Sequence, residues 1–275
     1  MTLNFTKPLA AMLIRHDVNP NNYIVNEADY PAVFPIFQAG QKKECVATLI
    51  DQNWAVTAAH CVVLLYENDF FETSSYPVTI ACIENDVVEV VWPEELGKLK
   101  VVEDDEGNLE ELSMKVEDFS NDIALMKLRN EVDHVTPIEL YDGDDETGKI
   151  ITLLGWGDYG TGNRGISRSG PINDGKFRLA TNQITQTDGN YLIFKFEDPE
   201  SGKALPLEGV NGPGDSGGPA LVETENGSQI IGVSSRGEYP ENAPDDREGR
   251  YGWTEYYVRI SKMRSWIDRV IGGSR

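Results

Sequence analysis

The stretch Gly214-Asp215-Ser216-Gly217-Gly218 decides the fold class, because it contains the pattern G-x-S-x-G, in which a serine between glycines can act as a nucleophile. In α/β-hydrolases this pattern lies between a strand and a helix, and the acid and the histidine follow the serine along the chain. Here the next residues, Pro-Ala-Leu-Val at 219–222, are typical of a strand, and all three histidines precede Ser216. Both observations argue against an α/β-hydrolase, and therefore against an esterase built on that fold.

Two upstream segments carry the groups that a nucleophilic serine requires. His60 lies in Thr57-Ala58-Ala59-His60-Cys61, and Asp122 runs directly into the apolar residues 123–125. Taken singly, such a histidine is usually structural, and such an aspartate usually begins a strand. A serine hydrolase needs a base that takes the serine proton and an acid that holds the base in the correct tautomer. The order His60, Asp122, Ser216 therefore predicts a catalytic triad.

These segments, together with Gly155-Trp156-Gly157 and the proline after Gly218, resemble the trypsin/chymotrypsin family of serine proteases. The resemblance extends from about Pro35 to Ile267, and the motifs occur in family order. It implies an all-β fold with two antiparallel six-stranded β-barrels of the chymotrypsin type and a C-terminal α-helix. In that fold the catalytic groups lie between the barrels.

The same resemblance implies a role for each catalytic residue. Ser216 attacks the carbonyl of the scissile peptide bond, and His60 takes the serine proton and later gives it to the leaving amine. Asp122 orients His60 and stabilises its charged form. The backbone N–H groups of Gly214 and Ser216 form the oxyanion hole, where a side chain at position 214 would obstruct the backbone.

The pattern of apolar residues also indicates an all-β chain with one terminal helix. Apolar runs are short and separated by turn signals, and in Tyr191–Phe196 they alternate with the period of a half-buried strand. Glu225-Asn226-Gly227-Ser228 predicts a hairpin. A helix is predicted to have Ser261 as its N-cap and to end at Gly272-Gly273. Its apolar stripe is Met263, Trp266, Ile267, Val270 and Ile271.

The chain is predicted to divide into an arm and two β-barrels. Residues 1–29 form the N-terminal arm, and residues 30–135 form the N-terminal β-barrel with His60 and Asp122. Residues 136–275 form the C-terminal β-barrel with Ser216 and the terminal helix. The polar, turn-rich residues 131–149 are the predicted linker between the two halves.

Composition argues against several function classes. The net charge of −22 would repel a nucleic-acid backbone or an anionic membrane surface, so neither is expected as a partner. No stretch approaches the roughly 20 apolar residues of a spanning helix, so no membrane insertion is expected. The acidic residues 103–118 could bind calcium, but they lack the regular ligand spacing of a calcium loop, and a solvated surface is favoured. We therefore expect no metal and no cofactor.

The number and pairing of the cysteines indicate whether the protein acts in a reducing or an oxidising compartment. Three cysteines cannot all pair, and their number alone leaves reducing and oxidising compartments open. The family resemblance pairs Cys45 with Cys61 beside the catalytic histidine and leaves Cys82 free, and we expect Cys82 to be buried. This disulfide predicts a secreted or periplasmic protein. The apolar run at 9–14 is too short for an intact signal peptide, so the run itself leaves two alternatives: the protein is not secreted, or its signal was removed.

The family pattern also locates a primary specificity pocket. It places Val210 at the pocket floor and Glu255 on a wall, where the family normally has glycine. Glu255 either meets a basic side chain of the substrate or pairs within the protein with a neighbour such as Arg236 or Arg250, because an unpaired buried carboxylate is costly. We favour cleavage after Lys or Arg through Glu255 over cleavage after a small or apolar residue beside Val210.

The N-terminal segment departs from the family pattern. Family members usually begin with Ile-Val-Gly-Gly after cleavage at a basic residue, and the new amine pairs with the acid before the serine. Here Ile24-Val25-Asn26-Glu27 lacks both the glycines and the preceding basic residue. Asp215 is therefore expected to pair either with the amine of Ile24 after cleavage or with another cation such as Arg15.

The predicted function is that of a serine endopeptidase acting through an acyl-enzyme intermediate. Ser235 and Gly237 are expected to offer backbone groups to the substrate strand. The expected partners are protein or peptide substrates and proteinaceous inhibitors, and the protein is expected to be a monomer. The alternative is a catalytically silent, protease-like module that binds partners through the same cleft.

Overall fold

The computed structural model describes residues 12–39, 42–65, 75–96, 99–103, 109–114, 119–166, 173–240 and 248–273. Strands predominate in these ranges, and the two α-helices among them are α1 (Ala59–Leu65) and α2 (Ile260–Gly272). The prediction of an all-β chain with a helix at its C-terminal end is confirmed.

The first half of the chain forms one barrel-like sheet. The described strands of this half are β1 (Leu13–Ile14), β2 (Val33–Ala39), β3 (Lys42–Asp51), β4 (Trp54–Thr57), β5 (Tyr76–Ile80), β6 (Ile83–Val91), β7 (Leu99–Glu103), β8 (Leu109–Met114) and β9 (Ala124–Leu128). Six of them pair in the antiparallel order β2-β3-β4-β9-β6-β5, as predicted for the first barrel. Phe34, Leu49 and Met126 lie in its core and are at most 2% exposed.

Two adjacent strand ends in this sheet position the acid and the base. Strand β4 pairs with β9, and Thr57 at the end of β4 lies opposite Ala124 at the start of β9. His60 follows β4 on the first turn of α1, and Asp122 lies just before β9. The pairing of these strands therefore brings His60 and Asp122 to the same edge of the sheet.

The second half forms a larger sheet. The described strands of this half are β10 (Glu139–Leu140), β11 (Ile150–Gly155), β12 (Gly160–Thr161), β13 (Arg178–Gln183), β14 (Gln186–Asp188), β15 (Tyr191–Lys195), β16 (Gly209–Val210), β17 (Pro219–Thr224), β18 (Gly227–Glu238) and β19 (Thr254–Arg259). All of them except β12 and β16 belong to the larger sheet. The order is β13-β11-β17-β18-β19-β15-β14, with β10 parallel to β18. This sheet has eight described strands instead of the expected six, because the long β18 pairs with β19 at residues 232–238 and with β10 at residues 229–230.

The predicted hairpin lies between β17 and β18. Thr224 pairs with Gly227, and Gly227 has a φ of +105°, a conformation that glycine adopts without strain. The turn signal in the sequence is thus confirmed.

The N-terminal arm contributes a strand to a third sheet. Strand β1 lies between β12, to which it is parallel, and β16, to which it is antiparallel. Met12, Leu13 and Ile14 are at most 1% exposed. The sequence predicted an extended arm here, and the described start of that arm is a buried strand, since three consecutive apolar side chains gain free energy by leaving water.

Helix α2 buries the predicted apolar stripe, but its capping differs from the prediction. Met263 and Ile267 are at most 5% exposed. Ser261 is not the N-cap, because the helix already begins at Ile260 and the preceding residue makes no side-chain cap. The hydroxyl of Ser261 instead donates to the buried carboxylate of Glu146 at 2.5 Å. That carboxylate also accepts two hydrogen bonds from Arg259, at 2.8 and 3.0 Å.

The acidic segment is described only in part. Strands β7 and β8 pair as an antiparallel hairpin, whereas residues 104–108 and 115–118, which carry much of the predicted acidic cluster, lie outside the described residues. Among the residues that are described, no group of three or more His, Cys, Asp or Glu side chains is placed to hold a metal ion. No helix in the same ranges is long and apolar enough to cross a bilayer.

Candidate active site

The imidazole of His60 faces the carboxylate of Asp122. Nδ1 of His60 lies 2.7 Å from Oδ2 of Asp122, and the backbone N–H of His60 donates to Oδ1 at 2.9 Å. Because a carboxylate only accepts hydrogen bonds, Nδ1 carries the ring proton and Nε2 is left as the acceptor of the neutral imidazole. The side chain of Asp122 is 1% exposed and that of His60 is 16% exposed. This tautomer is the one that a general base needs.

For both His60 and Asp122, burial and pairing shift the pKa in opposite directions. Burial disfavours the imidazolium, but the charge of Asp122 and its hydrogen bond outweigh burial and raise the pKa of His60. Burial also disfavours the carboxylate, yet interactions with His60 and the hydroxyl of Ser235 lower the pKa of Asp122. Asp122 is therefore ionised at neutral pH and can stabilise a charged imidazole.

Ser235 is a third member of this hydrogen-bond network. Its hydroxyl donates to Oδ2 of Asp122 at 2.7 Å. The sequence predicted only a backbone role for Ser235 and missed this contact. One signal pointed to it: Ser234 and Ser235 are consecutive hydroxyl residues directly after the apolar residues 230–233 of a strand, where buried polar groups need partners.

Ser216 lies on a loop of the second half that docks against the first. Its carbonyl oxygen accepts a hydrogen bond from the N–H of Val46 at 2.8 Å. Gly217 has a φ of +78°, and a Cβ there would lie 2.2 Å from Oγ1 of Thr57 and 2.5 Å from the carbonyl oxygen of Val46. Only glycine permits this approach, which holds Ser216 against the segment that leads to His60.

The predicted oxyanion-hole donors make no hydrogen bond to another group among the described residues. Gly214 has a φ of +99°, which a side chain would strain. In the described part of the chain, neither the N–H of Gly214 nor that of Ser216 donates to another protein group. Ser216 lines the cavity described next, whereas Gly214 does not line it.

A cavity of about 230 Å³ opens beside Ser216. Its lining includes five of the predicted site residues: His60, Ser216, Ser235, Gly237 and Glu255. Val210, which the family pattern placed at the floor, is fully buried in β16 and does not line the cavity, whereas the next residue, Asn211, does.

Asp215 is fully buried in a cradle made by Gly155-Trp156-Gly157 and Gly212. Its Oδ1 accepts from the N–H of Gly157 at 2.9 Å, and its Oδ2 accepts from the N–H of Gly212 at 3.4 Å. A Cβ on Gly155 would lie 1.9 Å from Oδ1, so the first glycine of this motif is needed for the carboxylate to fit. Burial raises the pKa of Asp215 to about 7, although the two N–H groups lower it.

Neither of the two groups expected to pair with Asp215, the guanidinium of Arg15 and the amine of a cleaved Ile24, does so in this structure. The guanidinium of Arg15 forms an ion pair with Asp17 at 2.7 Å and donates to the carbonyl oxygen of Leu205 at 2.8 Å. Ile24 lies within the continuous chain, and its N–H donates to the carbonyl oxygen of Asn21 at 3.3 Å. The expectation that Arg15 pairs with Asp215 is therefore wrong for this structure.

Glu255 is a buried carboxyl group on the cavity wall. It is 3% exposed and accepts a hydrogen bond from the indole N–H of Trp253 at 2.8 Å. Burial raises the pKa of Glu255 well above its usual range. Arg236, one of its expected partners, instead pairs with Glu238 and stacks on the ring of Tyr256 at 3.9 Å.

The cysteines follow the prediction in pairing but not in burial. Cys45 and Cys61 form a disulfide that joins β3 to α1, next to His60, as predicted. Cys82 is free, but it is exposed and not buried. It lies with Ala81 in the turn between β5 and β6, where both residues have positive φ, and such hairpin turns lie on the protein surface.

Comparison with known proteins gives one family. A family model described as Trypsin matches residues 24–267. A CLIP domain-containing serine protease B15 of Anopheles gambiae is 28% identical over 251 residues, which cover 83% of this chain and 61% of that protein. A trypsin of Phaedon cochleariae is 27% identical over 275 residues, which cover 94% of this chain and 92% of that protein.

The likeness to a solved structure supports the fold. Neuropsin, described as a serine protease expressed in the limbic system of mouse brain, matches with a TM-score of 0.58 and 19% identity. The match covers 90% of this chain and 98% of the neuropsin chain. At this identity the likeness supports the chymotrypsin-like architecture alone.

Proposed function

Because this chain belongs to the trypsin family of serine proteases, we propose that it is a serine endopeptidase that hydrolyses peptide bonds through an acyl-enzyme intermediate. The observation that carries the proposal is the pair of His60 and Asp122 beside a cavity that Ser216 also lines. This arrangement supplies a buried acid, a base in the required tautomer and a serine nucleophile.

In the first step, Oγ of Ser216 attacks the carbonyl carbon of the scissile bond while Nε2 of His60 takes the hydroxyl proton. The imidazolium that forms keeps its Nδ1 proton in the 2.7 Å hydrogen bond to Asp122. Asp122 is already held by the backbone N–H of His60 and the hydroxyl of Ser235. Its charge is therefore oriented before substrate binds, which is the basis of electrostatic catalysis.

The tetrahedral intermediate needs donors for its negative oxygen. We assign this role to the N–H groups of Gly214 and Ser216, which are free of protein partners in the described structure. Collapse of the intermediate breaks the C–N bond, and His60 gives its proton to the leaving amine. Water then attacks the acyl ester with His60 again as the base, and the released Ser216 recovers its proton.

We further propose that the enzyme cleaves after Lys or Arg, with Glu255 as the specificity group. Glu255 is 3% exposed on the cavity wall and has an indole as its hydrogen-bond partner. A cationic side chain of the substrate would favour the charged form of this carboxyl group and pair with it. Cleavage after small or apolar residues is the competing possibility. It finds less support, because Val210, which would select such residues, does not line the cavity.

The disulfide bears on where the protein acts. Bonds such as Cys45–Cys61 persist in oxidising compartments, so we propose that the protein is secreted or periplasmic. Its proposed partners are protein or peptide substrates and proteinaceous inhibitors, and its proposed functional form is a monomer.

Labelling with a sulfonyl fluoride, which sulfonylates the hydroxyl of an activated serine with loss of fluoride, tests the proposed activity. We expect the reagent to modify Ser216 and to abolish cleavage of a mixed peptide library. Ser216→Ala should be neither labelled nor active, and Ser201→Ala, a control at an exposed serine, should match the wild type. If the folded wild-type protein is not labelled and cleaves no peptide, it is instead a catalytically silent, protease-like binding module.

A further inference from the structure

The hairpin between β17 and β18 carries Asn226-Gly227-Ser228, which matches the acceptor pattern for N-linked glycosylation: asparagine, any residue except proline, then serine or threonine. The sequence has one other match, Asn4-Phe5-Thr6, which lies outside the described residues. Two matches in a chain of 275 residues can arise by chance, so the pattern alone identifies no site. The surroundings of Asn226 in the folded protein decide whether a glycan fits there.

The tip of this hairpin presents Asn226 to solvent. Asn226 and Gly227 are exposed, and Ser228 is partly exposed at the start of β18. The turn is held by other groups: the backbone N–H of Asn226 donates to Oγ1 of Thr224 at 3.1 Å, and that hydroxyl donates to the carbonyl oxygen of Gly227 at 2.8 Å. Among the described residues, none makes a hydrogen bond to the side-chain amide of Asn226. A bulky, hydrated substituent on this amide therefore breaks no contact of the fold.

A cavity beside Asn226 has room for a sugar. It lies between the hairpin and α2, and its lining includes Asn226, Arg264, Asp268 and Ile271. Its volume of about 480 Å³ falls within the range of small-molecule sites, about 300–1,000 Å³. The guanidinium and the carboxylate offer a donor and an acceptor for sugar hydroxyls, and the partly buried Ile271 offers an apolar surface for a sugar ring. The first sugars on Asn226 can therefore rest on this cavity without displacing any described element.

The hairpin tip lies far from the candidate active site. Strand β18 runs from Gly227 at the tip to Ser234 and Ser235, which line the cavity beside Ser216. At about 3.3 Å per residue, the stretch from Gly227 to Ser234 spans roughly 20 Å. A glycan on Asn226 thus starts well away from the peptide-binding cavity, and we expect it to leave peptide cleavage unchanged.

We propose that Asn226 is an N-glycosylation site and that its glycan lies over the cavity between the hairpin and α2. The inference goes beyond the proposed peptidase activity and rests on the proposed secretion. The donor is an oligosaccharide linked to a lipid diphosphate, which a transferase of the secretory pathway supplies. Nδ2 of Asn226 forms a bond to C1 of the first sugar, the bond between C1 and the lipid diphosphate breaks, and the amide loses one N–H proton.

The test uses the full chain, expressed behind a cleavable secretion signal in a eukaryotic cell line that glycosylates its secreted proteins. Asn4→Gln is present throughout, so that the other acceptor pattern does not contribute. We expect the secreted protein to lose mass when a peptide N-glycosidase removes its glycan and leaves aspartate at position 226. In heavy-oxygen water this aspartate carries the label, which distinguishes it from aspartate that spontaneous deamidation of Asn226 had already formed.

Matched variants separate the acceptor chemistry from folding. Asn226→Gln and Ser228→Ala should both abolish the mass loss, whereas Ser228→Thr, which keeps the hydroxyl of the pattern, should retain it. Asn130→Gln, at an exposed asparagine outside either pattern, is the control and should lose the same mass as the parent. All four variants should cleave peptides with the kcat/KM of the parent.

Oxidation by hydroxyl radicals locates the glycan. We expect Ile271 to be oxidised less in the glycosylated protein than after glycosidase treatment, because the sugars cover the cavity that it lines. Ile83, which is 51% exposed and lies in the first half of the chain, should be oxidised equally in both. Equal oxidation of Ile271 in the two forms would overturn the placement of the glycan over the cavity.

A secreted, folded protein in which Asn226 is unmodified overturns the inference, as does a mass loss that persists in Asn226→Gln. Failure of the proposed peptidase activity is a separate result, because a protein that escapes the sulfonyl fluoride can still carry the glycan. Failure of the proposed secretion is also separate, because Cys45 and Cys61 would then be reduced in protein taken from its natural source.

Discussion

Leu13 lies directly opposite Val210 in the antiparallel pair of β1 and β16. Leu13 also pairs in parallel with Gly160, and its side chain fills the space beside Gly249, where a Cβ would lie 1.9 Å from Cδ1 of Leu13. Val210 is followed by Asn211 and Gly249 is preceded by Glu248, and both of these neighbours line the cavity beside Ser216. The N-terminal arm therefore supports two walls of the candidate specificity pocket from behind.

Leu13→Ala should destabilise the second half of the protein and weaken substrate binding. Removing a fully buried leucine side chain costs about 2–5 kcal/mol, because it loses burial and leaves a cavity. We expect this loss in urea unfolding, measured on Ser216→Ala to prevent self-digestion, and a higher KM for the otherwise active variant.

Ile83→Ala is the matched control for the change at Leu13. Ile83 is 51% exposed, so its truncation should shift the free energy of unfolding by no more than about 0.5 kcal/mol. Equal effects of the two substitutions would mean that β1 does not support the pocket.

Ser235→Ala should lower kcat without a matching change in KM. The substitution removes the 2.7 Å hydrogen bond to Asp122 but keeps the backbone of Ser235 in the cavity wall. A hydrogen bond to a charged group contributes about 1.5–3 kcal/mol, so we expect kcat to fall by roughly tenfold or somewhat more. Steady-state kinetics would show this, and Ser235→Thr, which keeps a hydroxyl, should restore most of the rate. A rise in KM alone would contradict a role through Asp122.

Activity should fall as the pH decreases through the pKa of His60, because only the neutral imidazole accepts the serine proton. Since Asp122 raises this pKa, the loss should begin at a higher pH than for an ordinary histidine. Asp122→Asn removes the charge that raises the pKa of His60, so the midpoint of the pH dependence of activity should move to lower pH. Its kcat should drop by on the order of 10⁴, the effect of the wrong tautomer in such triads. A pH profile of kcat/KM for both proteins tests the shift, and an unmoved midpoint would contradict the pairing.

The proposed catalytic residues were predictable because each lies in a short local pattern. His60, Asp122 and Ser216 are marked by their immediate neighbours and by their order along the chain. Ser235 carries no such pattern, because its hydrogen bond to Asp122 depends on which segments the fold brings together. Leu13 lies outside the family match of 24–267, so its pairing with β16 could not follow from the resemblance.

The two local predictions that failed did so for tertiary reasons. Ser261 has the residue type and position of an N-cap, but its hydroxyl instead donates a hydrogen bond to Glu146, far away in the sequence. Cys82 was expected to be buried as an unpaired apolar thiol, yet the turn that joins β5 and β6 carries it to the surface. Local propensity is a weak prior where a distant partner or a turn decides the environment.

The protein should be less stable at pH 8 than at pH 5. Asp215 has a folded pKa of about 7 against 3.8 in its unperturbed state. A group whose pKa is raised by folding stabilises the protein fully below its unfolded pKa, and this contribution is lost as the pH rises through the folded pKa. The ionisation of Asp215 alone would lower the free energy of unfolding by on the order of 4 kcal/mol between a pH below 3.8 and a pH above about 7. Glu208, with a pKa of about 7, and His60, with a raised pKa, act in the same direction.

Urea unfolding of Ser216→Ala across pH 5 to 8 measures this dependence. Adding Asp215→Asn should make the dependence shallower, because the amide does not ionise. A free energy of unfolding that rises with pH over this window would show that Asp215 has found a cation, for example through cleavage of the arm.

The disulfide and the free thiol should respond differently to reagents and to substitution. Cys82 is exposed, so a maleimide should modify it in the native, unreduced protein and leave Cys45 and Cys61 unmodified.

Closing the loop between Cys45 and Cys61, which are separated by 16 positions, should contribute about 3 kcal/mol to the free energy of unfolding by the chain-entropy account. The double substitution of both residues by serine should therefore lower the free energy of unfolding by about that amount, whereas Cys82→Ser, at an exposed turn, should stay within about 0.5 kcal/mol of the wild type. Mass mapping of the maleimide adducts and urea unfolding check the two parts. Modification of Cys45 or Cys61 without a reductant would contradict the pairing and remove the argument for an oxidising compartment.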